Sequence, residues 1–347
     1  MKFFGGVEGG ATHSKLIICN ERGEQVASTT GLGTNHWLSG IPECARRIAD
    51  MVERAKDEAG IPLSNRLACL GLSLSGCEQE STNKELEEVI RNTYPDIAEA
   101  FVVCSDTIGS ICVASKLGGL VVISGTGSNT LLRNPDGSTC SCGGWGSMLG
   151  DEGGAWWLSH RAIKTVYDEM DNFAKSPYPI NYVWDLIKQH FNVETRVDLL
   201  EHCYARYNKP FFASLCKKLA VAAKDGDQLC MQLFKEAGKA LAKSTKAVLP
   251  KVHSSLVESG ELMVVCVGSV WNSWELMREG FIKELNTTNI PFGLKLVKTT
   301  KTMAYGAVYL AADATQFDLP RCYEDNYETF HLYKQSLILN GNGNKIY

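Results

Sequence analysis

Two short segments combine the residue types that phosphate chemistry needs. Gly5-Gly6-Val7-Glu8-Gly9-Gly10-Ala11-Thr12-His13-Ser14 and Ser124-Gly125-Thr126-Gly127-Ser128-Asn129 each join glycines to hydroxyl side chains beside an apolar run. Glycine lets backbone N–H groups approach an anion closely, and Thr12, Ser14, Thr126 and Ser128 add hydroxyl donors. Neither segment holds the Gly-Lys-Ser/Thr of a Walker A loop. Both lead into strand-like residues, whereas the dinucleotide glycine pattern opens a helix. Phosphate-binding hairpins fit these segments, and two of them could grip one polyphosphate. A tight hairpin without ligand explains either one alone, and their duplication weakens that reading.

Four further groups carry polar chemistry. Val103-Cys104-Ser105-Asp106 puts a carboxylate at the end of a strand and before a helix, where helix capping is the plain alternative. Gly143-Gly144-Trp145-Gly146 and Gly150-Asp151-Glu152-Gly153-Gly154 gather backbone donors, an aromatic face and two acids, a mixture suited to carbohydrate or magnesium. The plain alternative places Trp145 in a core and Asp151 and Glu152 in a helix's first turn, where they favour the macrodipole. Thr34-Asn35-His36-Trp37 and Leu74-Ser75-Gly76 fall in loops after strands, where amides and hydroxyls could bond a sugar. Val265 to Trp271 reads as a strand, a glycine turn and a helix start, a junction that can seat a nucleotide base.

The elements that must hold these groups follow from periodicity. Helical spacing spans 41–59 and 83–92, and buried-strand patterns span 67–74 and 101–104. Further on, a strand covers 120–124, helical patterns run from Glu152 to about Leu249, and a strand over 262–267 precedes a helix from Trp271. Asn20-Glu21-Arg22-Gly23 and Asn134-Pro135-Asp136-Gly137 are hairpin turns. A shift of 114 positions superposes Gly5/Gly119, Val7/Val121, Thr12/Thr126, Ser14/Ser128, Asn20/Asn134 and Gly23/Gly137, where about one identity is expected by chance. The pattern is that of a duplicated α/β domain with a cleft between the halves. The expected boundary gives a domain over 1–117 and a larger one over 118–347 carrying a helical insertion, with a poorly ordered tail from about residue 335.

Composition narrows the partners. The 347 residues exceed one usual hydrophobic core, and a net charge of −4 gives no basic footprint for nucleic acid. Charge and glycine arrive too early at the N-terminus for a signal peptide, and the apolar run 262–267 is far below the ~20 residues of a membrane span. Thirteen cysteines without a CxxC pair read as reduced thiols, and no metal site is expected from them. Asn286-Thr287-Thr288 then reads as a chance glycosylation tripeptide.

In order, GGVEGGATHS, GTNHW, LGLSLSG, SDTIGS, ISGTGSN, GGWG, GDEGG and CVGSVW resemble the sugar kinase branch of the actin-like ATPase superfamily. Within that branch the similarity is to the N-acetylglucosamine kinases of the BadF/BadG-type ATPase family. The resemblance runs from about Gly5 to Ala312. It implies an α/β fold of two ribonuclease-H-like domains around a central ATP and sugar cleft, with ATP and Mg²⁺ as cofactors and transfer to the sugar's 6-hydroxyl. Carried over by position, Asp106 would be the catalytic base. Asn35, His36, Ser128, Asn129, Gly144, Trp145, Gly146 and Asp151 would hold the sugar, and Gly10, Thr12, Thr126, Gly127, Ala213 and Gly268 would hold ATP. With its free-solution pKa of about 3.9, Asp106 would be a weak base acting through its position. A cytoplasmic homodimer without nucleic-acid or membrane partners is implied as well. The stretch from about Asp318 matches no pattern. Related amino sugars remain open as substrates, as does a non-catalytic sugar sensor or an activator-type ATPase of the same fold.

Overall fold

The computed structural model describes residues 1–334, so the expectation of a poorly ordered tail from about 335 lies outside the described residues. The chain forms two compact units. One comprises Met1–Val121, Arg133–Ser138 and Val297–Phe330; the other comprises Val122–Leu132, Thr139–Leu296 and the residues from His331. The chain therefore passes between units several times, where the sequence suggested one boundary near residue 117.

The first unit opens with β1 (Phe3–Gly9), β2 (His13–Asn20) and β3 (Gln25–Leu32), an antiparallel meander turned by Gly23 at φ 77°. The one-turn helix α1 (His36–Ser39) and the long α2 (Ile41–Glu58) follow. Next come β4 (Cys69–Leu74), α3 (Glu80–Thr93), β5 (Phe101–Ser105) and α4 (Asp106–Ala114). The sheet order is β3-β2-β1-β4-β5, with β1, β4 and β5 parallel. The strand expected over 67–74 begins at Cys69, Leu67 making only an isolated bridge to Ala98.

Alternation along the strands builds a core on each face of this sheet. Leu16 and Ile18 join Ile48, Met51 and Val52 of α2 on one side. Ile17 and Cys19 point to the other side, against a helix from the far end of the chain. Continuous apolar character in β4, buried at all six positions, reflects cover on both faces.

The second sheet begins with β6 (Gly119–Ser124), β7 (Ser128–Arg133) and β8 (Thr139–Gly143). Its remaining strands are β9 (Glu261–Val267), β10 (Gly293–Thr299) and β11 (Tyr327–Tyr333). The order β11-β10-β9-β6-β7-β8 repeats the first sheet's plan, with the opening strand between its hairpin partner and the later strands. The helical stretch between β8 and β9 resolves into α5 (Ala155–Met170), α6 (Asn181–Phe191), α7 (Leu199–Cys203), α8 (Lys209–Lys224) and α9 (Gln228–Val248). After β9, a 3₁₀ turn over Ser269–Ser273 precedes α10 (Trp274–Leu285), so the expected helix start at Trp271 is three residues early. Among the described residues no helix is long and apolar enough to cross a membrane, and none of the thirteen cysteines is in a disulfide.

The helix against the first sheet is α11 (Ala304–Ala314), which lies on β1 and β4 at backbone contact. Gly6 and Gly71 are register partners. A Cβ on Gly6 would sit 2.2 Å from the Ala304 carbonyl oxygen, and one on Gly71 would sit 2.0 Å from that of Ala307. Side chains there would lift the helix from the strands that lead to the site. Gly71→Ala is therefore expected to cost about 2 kcal/mol or more, read as a lower urea midpoint. An unchanged midpoint would contradict this packing.

Candidate active site

In the first unit the parallel register sets the site. Gly9 pairs with Leu74 and Leu74 with Ser105, so β1, β4 and β5 end at one level. Gly10, Ser75 and Asp106 follow directly, at the carboxyl ends of strands where open α/β sheets bind ligands.

The β1–β2 turn is fixed by its own backbone. The Gly10 N–H donates to the His13 carbonyl at 2.9 Å, and the carbonyls of Gly10 and Thr12 accept from the N–H groups of Thr34 and Gly33 at 3.1 and 3.0 Å. Buried Ser14 and Thr34 hydroxyls bond each other at 2.9 Å. The β1–β2 turn is thereby tied to the segment bearing Asn35. Asn35 caps α1, its side-chain oxygen accepting from the Trp37 N–H at 3.0 Å, while its amide nitrogen donates to Ser75 Oγ at 3.4 Å. The Trp37 indole N–H donates to the Gly76 carbonyl at 2.9 Å, joining the two loops that the sequence had singled out. His36 begins a helical turn instead of lying in a loop and is 5% exposed. Burial lowers its pKa against the opposing pull of Glu78 and Glu85, and its Nε2 is buried without a partner.

Asp106 is the first residue of α4, with Ser105 as N-cap. The simple capping reading fails, because the cap position belongs to its neighbour. Burial drives the Asp106 carboxyl upward and the charge of Glu78 adds to this, while backbone N–H bonds from Thr107 and from Asp106 itself oppose it; the result is about 7. The expectation of an ordinary carboxylate is thus corrected, since desolvation outweighs the helix-end donors. Such a group is poised to take a proton near neutral pH.

The second unit gathers another constellation. A Cβ on Gly127 would fall 2.3 Å from Asp151 Oδ1, and that oxygen accepts from the Ser128 N–H at 3.1 Å. The Gly125 and Thr126 carbonyls accept from the N–H groups of Ala155 and Trp156 at 2.8 and 2.9 Å, fastening the loop to the start of α5. Asn129 lies against Gly144, where a Cβ would meet its amide carbon at 2.8 Å, and Asn129 Oδ1 is buried without a partner. Gly268, at φ 105°, touches the same loop, since a Cβ there would be 2.3 Å from the Ser124 carbonyl oxygen. Ala213 is buried inside α8 and its carbonyl accepts from Ser159 Oγ at 3.2 Å, so its contribution is to shape a wall.

Two plain alternatives from the sequence are overturned. Trp145 is 72% exposed and is not core. Asp151 and Glu152 precede the first turn of α5, which starts at Ala155, and Asp151 has a left-handed φ of 67°. Sequence reasoning missed Lys209, whose ammonium meets Asp151 Oδ2 at 2.7 Å. The helix start Asn208-Lys209-Pro210 was legible, but no spacing rule links it to an acid 58 residues earlier. Glu78 was also missed, lying unremarked in the loop beyond Gly76.

Residues 6–311 match the sequence profile of the BadF/BadG/BcrA/BcrD ATPase family. The chain is 27% identical over 316 residues to the N-acetylmuramic acid/N-acetylglucosamine kinase of Clostridium acetobutylicum, covering 90% of this chain and 98% of that one. It is 22% identical over 328 residues to the N-acetyl-D-glucosamine kinase of Dictyostelium discoideum, again covering 90% and 98%. In fold it resembles a candidate N-acetylglucosamine kinase from Chromobacterium violaceum, with TM-score 0.70, 23% identity and coverage of 90% and 99%. It also resembles a ROK family glucokinase from Streptomyces griseus solved with glucose and AMPPNP, with TM-score 0.58, 14% identity and coverage of 90% and 99%.

Because Gly127 abuts the Asp151 carboxylate, Gly127→Ala is expected to break the Ser128 contact and cost about 2 kcal/mol or more of stability, as leaving a buried carboxylate short of a hydrogen bond would. Urea unfolding checks this, and a wild-type midpoint would contradict the contact between the loop and Asp151.

Proposed function

We propose that this chain, which belongs to the BadF/BadG/BcrA/BcrD ATPase family, transfers the γ-phosphate of ATP to the 6-hydroxyl of N-acetyl-D-glucosamine. The observation that carries the reading is Asp106, an acid at the end of a parallel strand with its carboxyl raised to about 7. A sugar sensor or an activator ATPase needs no such base.

In this reading Asp106 accepts the proton of the 6-hydroxyl as the oxygen attacks in line. The bond from O6 to the γ-phosphorus forms, the bond from that phosphorus to the bridging β,γ-oxygen breaks, and ADP leaves. Gly10, Thr12, Thr126 and Gly127 serve the phosphates through backbone and hydroxyl donors. Gly268 and Ala213 flank the adenosine. Asn35, His36, Ser128, Asn129, Gly144, Trp145, Gly146 and Asp151 hold the sugar, and the unpartnered polar atoms of His36 and Asn129 suit its hydroxyls.

Among the described residues no three His, Cys, Asp or Glu side chains converge as a metal cage. In this reading Mg²⁺ would arrive as Mg·ATP and would supply charge neutralisation. The thirteen cysteines, none of them in a disulfide, and the net charge of −4 support a cytoplasmic protein without a nucleic-acid partner. A homodimer is part of the same proposal.

Coupled ADP release with N-acetylglucosamine, N-acetylmannosamine, glucosamine, glucose and no sugar tests the reading. N-acetylglucosamine is expected to give the highest kcat/KM. Turnover independent of sugar would overturn the proposal in favour of an activator-type ATPase.

A further inference from the structure

Asp151 carries a carboxylate buried at 3% exposure, on a backbone that residues with a Cβ adopt reluctantly. A buried carboxylate persists as an anion only when it is paired and hydrogen-bonded. One oxygen is served by the Ser128 N–H, and the other by Lys209 Nζ at 2.7 Å.

Local helix energetics do not account for Lys209. It is the first residue of α8, and a cation at a helix N-terminus opposes the macrodipole. Asn208 already caps that helix, its side-chain oxygen accepting from the Phe211 N–H at 2.9 Å. The lysine is therefore spent on Asp151. Because α8 packs along α5 and α9, the ammonium is delivered from a rigid support.

We propose that Lys209 is a positioning residue for the sugar acceptor, fixing Asp151 so that its remaining lone pairs meet the sugar hydroxyls in one orientation. Each carboxylate oxygen accepts two hydrogen bonds, so one place on each oxygen stays available beside Ser128 and Lys209. Without the ammonium the buried carboxylate is uncompensated and free to turn, and that weakens its grip on the sugar. The inference rests on the reading of Asp151 as a sugar ligand.

The test is initial-rate kinetics on Lys209→Met and Lys209→Arg, varying N-acetylglucosamine at saturating Mg·ATP and the reverse. Lys209→Met is expected to raise KM for the sugar about tenfold or more, the scale of a lost charged hydrogen bond. Within about threefold, kcat and KM for Mg·ATP should hold, since the contact is formed before the transition state. Lys209→Arg, which keeps the charge, should recover most of the affinity. Lys209→Gln, which keeps an N–H donor without charge, replaces Lys209→Met if that variant does not fold, and should raise the sugar KM several-fold. An unchanged sugar KM in an active enzyme overturns this proposal alone, as does an equal loss in both substrates with a lowered melting temperature. A wild type without sugar-dependent turnover overturns it together with the kinase reading.

Discussion

A carboxylate that is to accept a proton from an alcohol must be kept from the solvation that makes ordinary aspartates so acidic. The first unit meets this constraint by ending three parallel strands at one level and starting α4 there, with Asp106 as its first residue. Burial raises that carboxyl to about 7 even though a helix N-terminus and two backbone N–H groups pull the other way. The surrounding structure serves that placement. The close approach of α11 at Gly6 and Gly71 sets the strands, and the hydrogen bond from Ser73 Oγ to the Ser105 carbonyl at 3.2 Å sets the turn into the helix.

The second unit solves the opposite problem. There a buried carboxylate is given one donor on each oxygen, the Ser128 N–H on one and Lys209 on the other. The Asp106 carboxyl is raised by burial and Asp151 is paired, so the two aspartates suit the different tasks proposed for them, one taking a proton and one accepting fixed hydrogen bonds. Gly127 is there because the Asp151 carboxylate occupies the space a side chain would need.

Much of this was legible because it is local. The duplicated hairpins, the buried β4 and the helix of residues 41–58 follow from periodicity and turn residues, and the order GGVEGGATHS to CVGSVW carried the family. What escaped depends on contacts distant in sequence. The return of residues 297–330 to the first unit comes from α11 packing against β1 and β4, an apolar helix whose partner no periodicity names. The basicity of Asp106 comes from desolvation and from Glu78, neither of which a strand-to-helix motif reveals. Lys209 reaches Asp151 across 58 residues. The non-helical backbone of Asp151 was hidden because an acid two to four residues before a helix looks like an N-terminal charge.

The most direct measurement is the pH dependence of kcat/KM for N-acetylglucosamine, in the wild type and in Asp106→Asn. That ratio reports the free enzyme's ionisations, and the protonated acid cannot serve as base. The account predicts a wild-type rate that rises with pH through a midpoint near 7. In a folded Asp106→Asn that limb should vanish and kcat should fall about a hundredfold or more. A variant that retains near wild-type kcat, or a wild-type limb centred near the ordinary aspartate value of about 4, would contradict it.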